Sequence, residues 1–68
     1  MIPRYIEEAI RKIDPGCNAR HVFGFMLLPG ASFGNMSTRE INREIRLGIA
    51  CAKESPTQAE SNAKSFGL

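Results

Sequence analysis

Few residues in this chain are of a type that does chemistry: Cys17, Cys51, His21 and an arginine-rich stretch through Arg39, Arg43 and Arg46. A cysteine acts as a nucleophile or metal ligand through its thiolate. Cys17 follows Gly16 and precedes a helix start marked by Asn18, a position that lowers a thiol pKa, so it is the one candidate nucleophile. His21 is the only imidazole and can move protons near neutral pH, but the nearest preceding carboxylate in sequence is Asp14. Zinc needs three or four protein ligands. Two distant cysteines and one histidine supply no spacing motif, so neither a metal nor a cofactor is expected. No second catalytic element accompanies Cys17, and a chain of 68 residues leaves little room for a sizeable pocket. The expectation is a protein that is not an enzyme.

The basic residues make a stronger pattern. At 100° per residue, Arg39, Arg43, Arg46 and Lys53 fall within about 80° of one another on a helix, with Asn42 beside them. Such a ridge either docks on phosphates or an acidic protein surface, or is an ordinary solvated face. Glu40 and Glu44 border it, and the net charge is only +2, which argues against nucleic acid as the main partner. A helix-turn-helix joins its helices by three or four residues. The connection preceding this helix is longer, residues 29–36, and the helix following it is nearly uncharged. Phe33, between Ser32 and Gly34 in that connection, is the aromatic least explained by helical periodicity. It is either an anchor for a partner or a plug folded back under the loop. The candidate partner-binding residues are therefore Arg39, Asn42, Arg43, Arg46, Lys53 and Phe33.

These side chains must be positioned by helices. Ile2, Ile6, Ala9, Ile10 and Ile13 form one stripe, opposite the charge pairs Arg4–Glu8, Glu7–Arg11 and Glu8–Lys12, and Asp14-Pro15-Gly16 ends it. Asn18 caps a second helix in which Val22, Phe23, Phe25, Met26, Leu27 and Leu28 cover nearly the whole circumference. A helix apolar all round is central or shared, so part of Phe23, Phe25 or Leu27 is expected to face a partner, including a second copy of the chain. Ser37 with Glu40 forms a capping box, and Met36 with Ile41 is placed for a hydrophobic staple. Ile41, Ile45, Gly48, Ile49 and Ala52 are the buried stripe, with Gly48 allowing another helix to approach closely. Ser55-Pro56-Thr57-Gln58 repeats a start signal. Ala59, Ala63 and Phe66 mark the inner face of the last helix, and Gly67 suits its C-terminal cap. The spacing thus predicts an all-α single domain, 1–68, of four short helices over 3–13, 19–28, 38–54 and 56–65. A domain this small is marginal in stability.

No apolar run approaches the roughly 18 residues of a membrane span. The N-terminus lacks the basic and apolar regions of an export signal, so a reducing cytoplasm is expected. A resemblance covering about two thirds of the chain is carried by the words Arg20-His21-Val22, Ser37 through Glu44 to Ala50-Cys51, and Ala59-Glu60 to Ser65-Phe66-Gly67-Leu68. In these the chain resembles a family of small bacterial, phage and mobile-element proteins of no known activity. The resemblance implies a phage or bacterial setting and carries over no site residue. The functional expectation is a non-enzymatic modulator or inhibitor that occludes a surface of a larger protein, as an anti-CRISPR or another anti-defence factor would. The alternative is a small nucleic-acid-binding regulator using the basic face.

Overall fold

The apolar segment after Asn18 sits at the centre, and everything else is arranged around it. The computed structural model describes residues 2–30 and 32–68. Its helices are α1 (Arg4–Ile13), α2 (Ala19–Leu27), α3 (Thr38–Glu54) and α4 (Pro56–Ser65), with one 3₁₀ turn, Phe33–Asn35, between α2 and α3. The fold is all-α, with no strand among the described residues. None of its helices is long and apolar enough to cross a membrane.

The helix ends follow local chemistry. Pro3 lacks an N–H but offers its carbonyl to the amides of Ile6 and Glu7 at 3.1 and 3.0 Å, so α1 begins at Arg4. Asp14 precedes Pro15, which disfavours helical geometry, and its extended backbone (φ −144°) closes α1. Its Oδ1 accepts from the Gly16 amide at 3.2 Å. Asn18 caps α2, accepting from the Arg20 amide at 3.0 Å. The capping box of α3 is complete: the Glu40 amide donates to Ser37 Oγ and the Ser37 amide to Glu40 Oε1, both at 3.2 Å. The second start signal works differently. Pro56 takes its place in the first turn of α4, but Ser55 makes no side-chain cap bond. Gln58 turns away from it and donates from Nε2 to Asn62 Oδ1 at 2.8 Å.

The core joins Ile6 and Ile10 of α1, Ala19, Val22, Phe23 and Met26 of α2, and Ile45 and Ile49 of α3. α4 adds Ala59 and Ala63, both fully buried. The expected surplus of apolar surface on α2 is largely consumed inside the chain. Phe23 is 3% exposed, while Phe25 and Leu27 are half-buried. Two glycines make this coverage possible. A Cβ on Gly48 would stand 2.9 Å from the Val22 carbonyl oxygen, so α3 lies directly on the α2 backbone. A Cβ on Gly24 would stand 3.1 Å from Asn62 Cβ and 3.2 Å from the Ala63 nitrogen, which brings α4 almost as near. The accessible surface of 4480 Å² is close to the roughly 4,200 Å² typical of a monomer of this mass, so the chain covers itself about as well as most.

One expected core residue is displaced. Phe66 is 41% exposed, and Asn62, 6% exposed, occupies the inner face of α4 instead. The cause is the way α4 ends. The Leu68 amide reaches the Ala63 carbonyl at 2.8 Å and the Gly67 amide reaches Lys64 at 3.1 Å. With Gly67 at φ +72°, this is a Schellman closure. It turns Leu68 back onto the core and leaves Phe66 outside.

Candidate functional site

Burial of Ile45, Gly48 and Ile49 against α2 fixes which side of α3 faces water. Arg39, Arg43, Arg46, Leu47, Ala50, Cys51 and Glu54 are all exposed on that outer side. Arg39, Arg43 and Arg46 line a shallow cleft of about 230 Å³ together with Glu40. Among the described residues, none of the three guanidinium groups forms an ion pair. Glu44 follows Arg43 directly in sequence but makes no ion pair among the described residues, and the Glu40 carboxylate is engaged in the cap. Its pKa is held below the usual carboxylate range by the Ser37 amide and hydroxyl, with Arg43 adding a smaller effect. The cleft therefore presents three cationic donors against one carboxylate, that of Glu40, which the cap also engages.

The other candidates lie elsewhere. Lys53 leaves the ridge: its Nζ is 2.9 Å from Asp14 Oδ2, tying the end of α3 to the end of α1. That contact lowers the Asp14 pKa and raises that of Lys53. Asn42 is half-buried in a groove of about 420 Å³ between α1 and α3, beside Tyr5, Ala9 and Thr38, and takes no part in the arginine cleft. Phe33 is folded back as a plug, half-buried. The 3₁₀ turn folds its ring onto Phe23, with centroids 5.5 Å apart at 37°, against the core. Leu47, at 56% exposure, is the large apolar side chain that the arginine face does carry. On the helical wheel it lies about 40° from Arg43 and outside the core stripe, so its exposure was readable from spacing.

A second cluster joins α2 to α4. Arg20 donates from Nε to the main-chain oxygen of Leu68 at 2.8 Å and from Nη1 to Glu60 Oε2 at 3.3 Å. His21 Nε2 lies 2.7 Å from the same Glu60 oxygen. Glu60 is held below the usual carboxylate range, first by the His21 hydrogen bond and then by Arg20. An ionised Glu60 accepts from both partners, so His21 is oriented as a donor across the helix seam. Cys17 corrects a local expectation. Partial burial, reinforced by the charge of Asp14, pushes its thiol pKa up, opposite to the effect of a helix N-terminus. Cys17 and Cys51 are both free thiols. Among the described residues no group of three potential ligands is gathered for a metal ion.

Comparison with known proteins returns no match: no family model, no curated protein and no solved structure matches this chain.

Proposed function

We propose that this chain is a non-enzymatic binding protein that docks the arginine edge of α3 on an acidic surface of a larger protein and thereby occludes it. The observation that carries this reading is the set of unpaired, exposed guanidinium groups of Arg39, Arg43 and Arg46 around one cleft. Arginine is enriched in interface cores and forks readily onto carboxylates. The groups that would serve catalysis are engaged elsewhere: His21 bridges two helices through Glu60, and the Cys17 thiol is made less acidic. The resemblance to small phage and mobile-element proteins adds the expectation of a cytoplasmic host target, with an anti-CRISPR-like role as one form of it.

The same unpaired guanidinium groups favour a second reading, contact with nucleic-acid phosphates. Against it stand Glu40 on the rim of the cleft, Glu54 farther along the outer face and the net charge of +2. Affinity capture from the native host, using wild type and the double variant Arg39→Ala/Arg46→Ala, tests the first reading. One protein is expected to be retained by wild type and lost from the variant. A gel shift with mixed-sequence DNA and RNA at about 50 and 200 mM salt tests the second. A shift at low salt that disappears in the double variant would move the assignment to nucleic acid.

A further inference from the structure

The outer side of α3 carries a second pattern beside the arginine cleft. Arg43, Leu47, Ala50 and Glu54 follow one another at intervals of four, three and four residues, the spacing of a two-helix seam. All of them are exposed. Among the described residues neither Arg43 nor Glu54 has an ion-pair partner. Glu54 is also the last residue of α3, where the helix dipole disfavours an anion and an opposed cation would offset that cost.

We infer that this face is a homodimer interface, with a second copy of the chain lying antiparallel along it. Consider a two-fold axis midway between Leu47 and Ala50. It sets Arg43 opposite Glu54 of the second copy at each end of the seam, and Leu47 opposite Ala50 at each central position. Cation meets anion, and a large side chain meets a small one. An isologous contact requires this self-complementarity. The parallel arrangement fails, because it sets Arg43 against Arg43 and Glu54 against Glu54. In the antiparallel arrangement like flanks share a side. Arg39 and Arg46 of both copies then line one edge of the seam, with Glu44 and Cys51 of both on the other. The pairing goes beyond the docking proposed above; it draws on Arg43 of the cleft and leaves Arg39 and Arg46, at the edge of the seam, open to a target. From Arg43 to Glu54 the helix rises only about 17 Å. The interface is therefore small, and the dimer weak and concentration-dependent.

Sedimentation of the purified chain up to about 1 mM tests the pairing. Wild type is expected to move from monomer towards dimer as concentration rises. Arg43→Glu and Glu54→Arg alone are each expected to remain monomeric, and the double swap to dimerise again. Melting curves by circular dichroism verify that each variant is folded. A second readout is cross-linking through Cys51 with a short bismaleimide. The two Cys51 positions lie on one edge of the seam, offset by about 7.5 Å along the axis. Cross-linked dimer is expected from wild type and from Cys17→Ser, and none from Cys51→Ser or Arg43→Glu. A wild type that stays monomeric throughout, single variants that dimerise as wild type does, or a double swap that fails to restore the dimer would each overturn the interface. Loss of target capture in the Arg39/Arg46 variant is read separately, so either proposal can fail without the other.

Discussion

α2 is held on two sides by different means. Against α3 the contact is dry: Val22 and Met26 meet Ile45 and Ile49, with the α3 backbone brought in at Gly48. Against α4 the contact is built from small and polar groups. Ala59, Ala63 and Asn62 approach Gly24, and Glu60 receives Arg20 and His21 at the edge. The first seam draws on apolar burial and tight packing, which are insensitive to pH. The second buries little apolar volume and adds charge-assisted hydrogen bonds, which are not. One helix thus has a rigid neighbour and an adjustable one.

The largest effect is expected at the dry seam. Ile45→Ala removes a fully buried side chain and should cost about 3–4 kcal/mol in urea unfolding. A cost below about 1 kcal/mol would show that the site collapses freely and that this seam is not the rigid one. Next comes the pair of glycines. Gly48→Ala gains up to about 1 kcal/mol of helix propensity, yet its methyl group must displace the Val22 carbonyl, so a net loss of about 1–3 kcal/mol is expected. Gly24→Ala meets Asn62 and Ala63 at slightly longer range, on a helix at the chain's edge, and should cost clearly less. Equal losses at the two positions would erase the contrast between rigid and adjustable seams.

Ser37→Ala probes the cap outside both seams and should cost about 1 kcal/mol, seen as a drop of several degrees in Tm. An unchanged Tm would remove the cap from the account of where α3 begins. The smallest effect is the share of acid sensitivity that Glu60 adds at the α4 seam, beside the shares of Asp14 and Glu40, whose pKa values are also lowered. The Glu60 pKa is lowered from its ordinary 4.5, so folding gains stability that is fully present above that value. The gain is lost as pH falls through the folded-state pKa. Glu60→Gln should therefore flatten the acid side of the stability–pH curve and leave Ile45→Ala's cost unchanged. A curve of the same slope in wild type and variant would place the acid sensitivity elsewhere.

Features written in neighbouring residues are legible in the amino-acid order alone. The four helices begin and end within about one residue of expectation, the capping box of α3 forms as read, and Gly48 does admit α2. These signals are local: a cap and its partner lie three residues apart, and a stripe repeats every turn. What the sequence does not reveal depends on chain segments far apart or on the sense of a turn. Glu60 lies 39 residues from His21, and Asp14 and Lys53 meet only because α1 and α3 end side by side. Phe66 gives way to Asn62 because the closure at Gly67 decides which side chain turns inward. At Cys17 a valid local rule is outweighed by burial and by Asp14. Of the site, the three arginines are legible, while the departure of Lys53, Asn42 and Phe33 from their shared surface is not.

The stacking of Phe33 on Phe23 has a consequence for how the chain can be lengthened. A connection pinned at one point behaves as two short loops, and the entropy of closing each grows only slowly with added residues. The half before the pin ends α2 at Leu28, Pro29 and Gly30, all exposed, with a 2.9 Å contact from the Gly30 amide to the Leu27 carbonyl closing the turn and open space beside the Gly30 Cα. Extra residues placed directly after Gly30 leave that turn intact and should be absorbed with little change in melting, which makes that point the place to graft an epitope or a fluorophore. Extra residues between Phe33 and Met36 would break the 3.3 Å contact from the Met36 amide to the Phe33 carbonyl and free the ring from its seat.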